Sequence, residues 1–137
     1  MIVITLLLQS ADFMGAGNGL IEKAVEDQID TILTCDNGIA AADAVAYGKE
    51  HGLTMIITDH HDVPFDTDEA GVRKEVLPPA DVVINPKQEA CNYPYPLLCG
   101  AGVAFQFMRH SIRQWKKMKA NWKSCYPCLR SRLFVMW

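Results

Sequence analysis

Thr31-Ile32-Leu33-Thr34-Cys35-Asp36-Asn37-Gly38 is the stretch on which the fold of this chain turns. Its first five residues form a short, β-branched apolar run, and it stops at Asp36-Asn37-Gly38, a turn signal. From Ile39 to His51 the chain is rich in alanine and reads as a helix, closed by Gly52 as a left-handed cap. Leu53 to Thr58 is the next apolar run, and it stops at Asp59-His60-His61-Asp62. Upstream, Leu20, Ile21, Ala24 and Val25 recur at helical spacing between Leu20 and Gln28, with Glu22, Lys23 and Glu26 on the other side. Downstream, an acidic, proline-bounded loop from Val63 to Pro79 leads to Val82-Val83-Ile84, which ends at Asn85-Pro86. Strands alternating with a helix predict βαβ units, and so an α/β fold with a parallel sheet and flanking helices. Short, continuous apolar strands fit a sheet buried on both faces.

The composition bounds the size and class of the domain. With 137 residues, half of them apolar and 21 % charged, the chain is one globular domain at most, or a piece of a larger one. That apolar fraction excludes disorder for its middle part. The longest apolar stretch, Ile2 to Leu8, is too short to span a bilayer, so no membrane partner is expected. A basic leader and a small-residue cleavage site are both lacking, and the five cysteines (Cys35, Cys91, Cys99, Cys125 and Cys128) are odd in number and irregularly spaced. These features predict a reduced, cytoplasmic location.

The net charge of −3 conceals a division. Residues 1–108 carry 5 Lys and Arg against all 16 acidic residues, whereas residues 109–137 carry 8 Lys and Arg and no acid. The same tail holds Trp115, Trp122 and Trp137 and the Cys125-Tyr126-Pro127-Cys128 run. Two readings of it stand: a nucleic-acid-binding arm with aromatic stacking residues, or a segment outside the folded design. A lone Cys-x-x-Cys without a second pair is a weak metal signal.

In an open parallel sheet, ligands bind beyond the carboxyl ends of the strands. Two such ends deliver Asp36 and Asp59-His60-His61, one crossover apart. A single Asp at a strand end is usually a turn former. Four consecutive polar residues directly after Met55-Ile56-Ile57-Thr58 have no packing reason to be there. Carboxylate and imidazole together form a ligand set for Mn²⁺, Zn²⁺, Fe²⁺ or Co²⁺, and such ions activate water for attack on phosphate. Cys35 and Cys99 are expected to serve packing, because Asp36 is the better ligand beside Cys35.

These residues resemble a known family. Thr34-Cys35-Asp36-Asn37-Gly38-Ile39 and Asp59-His60-His61 are similar to motifs II and III of the DHH phosphoesterases. Three further stretches resemble the RecJ branch of that family, the single-stranded-DNA-specific exonucleases: Val83-Ile84-Asn85-Pro86-Lys87-Gln88, Cys91-Asn92-Tyr93-Pro94 and Gly100-Ala101-Gly102-Val103-Ala104-Phe105. Gly17-Asn18-Gly19-Leu20 resembles the lead-in to the helix before motif II. The resemblance implies a two-metal Mn²⁺ or Mg²⁺ centre that hydrolyses phosphodiester bonds and releases 5′-mononucleotides from the 5′ end of single-stranded DNA. It implies Asp36 as the carboxylate bridging the metals and His60 as a metal ligand. His61 would contact the scissile phosphate, and Asp59 would orient the histidines or approach the metal. Gly100 to Gly102 would form a close-approach loop before a helix from Val103, or an ordinary helix start.

The resemblance extends over about residues 17–108, a partial DHH domain, with 1–16 as a leader of uncertain status. The family's Asp-x-Asp-Gly motif does not occur in residues 1–16, and its fourth motif, with a metal-binding Asp, does not occur after Met108. Read two nucleotides later, however, the codons allowed for Ser131 to Met136 include Ala-Thr-Val-Cys-Asp-Val, which resembles that fourth motif. Residues 109–137 are therefore expected to be out of frame or unstructured. The chain reads as a fragment of an exonuclease, inactive alone, whose sheet lacks its first strands and exposes an edge. The alternatives are another DHH enzyme (an oligoribonuclease, a cyclic-dinucleotide phosphodiesterase or a pyrophosphatase) and a non-enzymatic nucleic-acid-binding module that uses the basic tail.

Overall fold

A computed structural model describes residues 2–7, 19–120 and 133–134, with side chains described over 19–117. The elements run β1 (Ile2–Leu7), α1 (Gly19–Glu26), β2 (Thr31–Thr34), α2 (Ala42–Glu50), β3 (Thr54–Thr58), β4 (Phe65–Thr67), β5 (Arg73–Glu75), β6 (Val82–Ile84), α3 (Gly100–Ala120) and β7 (Leu133–Phe134). Five strands form one sheet in the order β6-β3-β2-β1-β7, and every pair in it is parallel. The predicted α/β class and parallel sheet are thus observed.

The core forms where α1 and α2 cover the sheet. Ile21 and Ala24 from α1, and Val45 from α2, meet Ile32 of β2 and Met55 and Ile57 of β3, with Ala41 and Leu53 at the margins. Met55 and Ile57 are two residues apart, so both face the same side of the sheet. They are completely buried, as is Val45. α2 approaches β3 closely because position 48 carries no side chain: a Cβ there would lie 2.9 Å from the Met55 sulfur. α3 packs against β3 as well, and its Val103 is buried.

Boundaries shift where local hydrogen bonding competes with pattern. The helix read from Ile39 begins at Ala42, because Gly38 to Ala41 forms a turn closed by the Ala41 N–H on Gly38 O (3.1 Å). Gly52 does end α2 in the left-handed region, at φ 79°. The stretch from Val63 to Pro79, expected as a loop, contains the exposed antiparallel pair β4–β5, with Arg73 stacked 4.1 Å over the Phe65 ring.

Three expectations are corrected. The leader is not outside the sheet: Ile2–Leu7 pairs in parallel with β2 over Ile4–Leu7. The sheet therefore has a strand where one was expected to be missing, because a short apolar run fits a buried strand as well as any other buried segment. The tail is helical through Ala120 rather than unstructured from Arg109. Gln, Lys, Met, Arg and Ala all favour helix, so such a run extends a helix that has nucleated upstream. Cys99 is exposed, in the turn before α3, while Cys35 is buried as expected. Cys125 and Cys128 lie outside the described residues.

Two small features hold the strands in place, one at the carboxyl end of β2 and one at the amino ends of β3 and β6. At the turn after β2, Gly38 has φ 107°, and a Cβ there would lie 3.1 Å from two Ile57 carbons and 3.2 Å from Thr34 Oγ1. Before β6, Asp81 accepts a hydrogen bond from the Met55 N–H (2.7 Å) and one from Lys49 Nζ (2.6 Å), and its own N–H donates to Met55 O. The Lys49 ammonium, followed by the Met55 N–H, holds the Asp81 carboxyl below the ordinary carboxylate range.

Gly38→Ala is expected to lower stability by about 1–3 kcal/mol, since it adds a side chain at positive φ in a crowded turn; urea unfolding checks this. Asp81→Asn is expected to cost about 1 kcal/mol, a charged hydrogen bond discounted because the side chain is 36 % exposed. The carboxyl is held low in the folded state, so its contribution is full above the unfolded value near pH 4 and fades as pH falls through the folded value. The gap between wild type and variant is therefore expected to narrow as pH falls below about 4, as measured by unfolding at each pH.

Candidate metal centre

The site lies at the carboxyl ends of β2, β3 and β6, which are held level by cross-strand bonds. Thr34 and Thr58, both fully buried, staple β2 to β3. Thr58 Oγ1 donates to Thr34 O (2.6 Å), the Thr58 N–H donates to Thr34 Oγ1 (3.2 Å), and Thr34 Oγ1 donates to Asn37 O (2.8 Å). Immediately beyond, the Asp36 N–H donates to Thr58 O and the Asp59 N–H donates to Ile84 O. The three strand ends are thereby locked in register.

Asp36 leaves β2 in the left-handed region at φ 65°. Asp tolerates that conformation better than most residues, because its short polar side chain bonds locally. Its side chain is half exposed and reaches His60, whose Nε2 lies 2.9 Å from Asp36 Oδ1. His61 completes the group: one ligand atom each from Asp36, His60 and His61 lies within 4.8 Å of the other two. Three of the four residues singled out in the sequence thus converge, and the fourth lies beneath them.

Asp59 is 1 % exposed, and both its carboxylate oxygens are engaged. Oδ1 accepts from the His60 N–H (2.7 Å) and the His61 N–H (3.2 Å), and lies 2.7 Å from His61 Nδ1. Oδ2 accepts from the Ile39 N–H across the sheet (2.9 Å). Burial alone would push the Asp59 carboxyl up, and that is the largest single influence on it. The hydrogen bonds from Ile39, His61 and His60 together outweigh it, so the group is held below the ordinary carboxylate range. Asp59 is therefore an anion that fixes both histidines while offering no free oxygen of its own. Cys35, by contrast, is pushed up by burial and by the neighbouring Asp36 and Asp59 carboxylates. It stays a thiol, which agrees with its expected packing role.

Three further residues lie against the site. Gly100, the first residue of α3, is buried with its backbone directly against the Asp36 carboxylate, so that any Cβ there would collide with that side chain. The close-approach reading of this glycine therefore holds. Gly102 meets Leu98 instead. Asn85, 2 % exposed, donates from Nδ2 to His61 O (2.8 Å) and accepts the Lys87 N–H on Oδ1 (2.9 Å). Lys87 in turn pairs with Asp62 at 2.8 Å. Asn37, 3 % exposed, has neither carboxamide atom hydrogen-bonded. Its sequence signal was a turn residue; its burial follows from the turn's packing under the site.

The donor set suits a divalent cation: one carboxylate and two imidazoles at a solvent-facing edge, with a buried anion behind them. Among the described residues no helix is long and apolar enough to cross a membrane.

Comparison with known proteins follows the same lines. The curated relatives include the single-stranded-DNA-specific exonuclease RecJ of Haemophilus influenzae, 40 % identical over 87 residues, which is 64 % of this chain and 13 % of that protein. RecJ of Salmonella typhimurium is 37 % identical over 97 residues, 71 % of this chain and 15 % of the relative. RecJ of Bacillus subtilis is 44 % identical over 81 residues, 59 % of this chain and 9 % of the relative. The chain thus spans less than a fifth of the length of these relatives. No solved structure gives a significant match. The profile of the DHH family, N-terminal domain, matches residues 1–128, so the chain that brings Asp36, His60 and His61 together belongs to the DHH family.

Proposed function

We propose that this chain is part of a metal-dependent exonuclease that hydrolyses phosphodiester bonds of single-stranded DNA from the 5′ end, and that it carries one half of the metal centre. The observation that carries this reading is the convergence of Asp36, His60 and His61 at the ends of two parallel strands, over the buried Asp59. The likeness to RecJ proteins supports the substrate class.

In this reading Asp36 and His60 hold the ion, which is Mn²⁺ or Mg²⁺. Such an ion lowers the pKa of bound water and neutralises charge developing on phosphate. Asp36 is held in place by its left-handed backbone and by Gly100. His61 faces the scissile phosphate, and Asp59 fixes its ring through Nδ1, leaving Nε2 for the substrate. Lys87 is paired with Asp62 next to His61, so its charge is offset there. A second metal needs carboxylates from the Asp-x-Asp-Gly and fourth motifs, which this sequence does not contain. The chain alone is accordingly inactive, and residues 109–137 are a frame-shifted stretch of the parental reading frame.

Mn²⁺ titration followed by electron paramagnetic resonance is expected to show binding to the intact chain, weakened by about tenfold or more in Asp36→Asn and in His60→Ala. Gly100→Ala is expected to weaken binding comparably while leaving the circular dichroism unchanged, because the added methyl displaces the Asp36 carboxylate. Unaltered Mn²⁺ binding in all three variants rejects the site. Sequencing the locus in all frames is expected to reveal Asp-x-Asp-Gly upstream and Ala-Thr-Val-Cys-Asp-Val across the codons of Ser131–Met136. A clean frame with unrelated flanks makes the basic tail genuine, and favours nucleic-acid binding that survives loss of Asp36 and His60.

A further inference from the structure

A cleft opens beside the metal centre, and both of its walls are fastened to that centre. One wall is α3, which starts with Gly100 against the Asp36 carboxylate and continues through Val103, Gln106 and Phe107. At about 5.4 Å per turn, Val103 lies roughly one turn from that carboxylate and Phe107 two. The other wall is the end of β6, Val83 to Asn85, and Asn85 is the residue whose amide holds His61 O at 2.8 Å. Tyr93, from the loop between the two walls, also lines the cleft. The cavity measures about 230 Å³. That is below the roughly 300–1,000 Å³ of pockets for drug-sized molecules, and suits one ring system.

We propose that this cleft binds the base of the nucleotide whose phosphate lies at Asp36, His60 and His61. The inference rests on the phosphodiester reading above and adds to it the place of the base. Three features favour a nucleobase as the occupant. The walls are apolar, with two aromatic rings, as the faces of a base require. The Gln106 carboxamide, which has no hydrogen bond among the described residues, provides a donor and an acceptor for a base edge. Both walls are also tied to the metal centre, α3 through Gly100 at Asp36 and β6 through Asn85 at His61, so one nucleotide has its phosphate and its base within reach of the two.

The test compares dAMP with deoxyribose 5-phosphate, which lacks only the base, by ¹H–¹⁵N NMR titration of the full chain, with Mn²⁺ binding measured in parallel. dAMP is expected to bind about tenfold or more tightly than the sugar phosphate, the scale of one base stacked on an aromatic ring. The Gln106 side-chain amide and Val103 signals are expected to shift with dAMP alone. Gln106→Leu and Phe107→Ala are each expected to reduce that preference, with Mn²⁺ affinity unchanged. Gln106→Leu keeps size and helix propensity, so its result stands even where truncation of Phe107 harms folding. Equal affinity for the two ligands, or shifts that avoid α3, overturns the base site whatever the metal result and points to an apolar side chain of another polypeptide segment as the occupant. Loss of Mn²⁺ binding with the base preference intact overturns the metal reading alone.

Discussion

Every part of the candidate site depends on one buried carboxylate. Asp59 is almost wholly removed from water and remains an anion, which is tolerable only because three partners make four hydrogen bonds to it. Those partners come from two different strand ends: Ile39 beyond β2, and His60 and His61 beyond β3. One carboxylate therefore does two things. It ties the two strand ends together, and it sets the rotation of the His61 ring. Taking away that side chain would leave backbone N–H groups without acceptors, at about 1–3 kcal/mol for each buried group.

The surrounding structure is arranged to keep that geometry rigid. Reciprocal Thr34–Thr58 bonds hold β2 and β3 level, and Asn85 anchors the His61 backbone from β6. The turn that presents Asp36 is held on every side, by Thr58 O, by Thr34 Oγ1 and by Asp59 Oδ2. The cost of this rigidity is visible. Asp36 takes a left-handed backbone, and Asn37 is buried with an unbonded carboxamide. Local strain of this kind persists where the surroundings over-determine a conformation, and it clusters at functional sites.

Residue pattern made much of this legible. β2, β3 and β6 could be read from short apolar runs ended by Asp-Asn-Gly, Asp-His-His and Asn-Pro, and α1 and α2 from the pattern before and after β2. The four polar residues after Thr58 stood out because nothing in a buried strand requires them. Other features were hidden for definable reasons. Ile2–Leu7 was an apolar run with no partner visible in sequence, and strand pairing is a long-range property. The tail's helix was obscured by its charge imbalance, which bears on solubility and partners more than on helix formation. Cys99 lay outside the core because its neighbours in the loop, not its apolar character, decide its exposure.

The sequence by itself determined which residues carry the chemistry: a carboxylate after one strand and Asp-His-His after the next, one crossover apart. Parallel pairing then makes their proximity nearly unavoidable, because adjacent parallel strands end on the same edge. What only tertiary structure decided was the division of labour among them. Asp36, His60 and His61 face outward together, while Asp59 turns inward to become the anchor. That choice rests on contacts with Ile39, Asn85 and Gly100, residues 20 to 64 positions away in the chain from those they hold. Such contacts form only once the sheet and α3 have closed, and spacing along the chain carries no record of them.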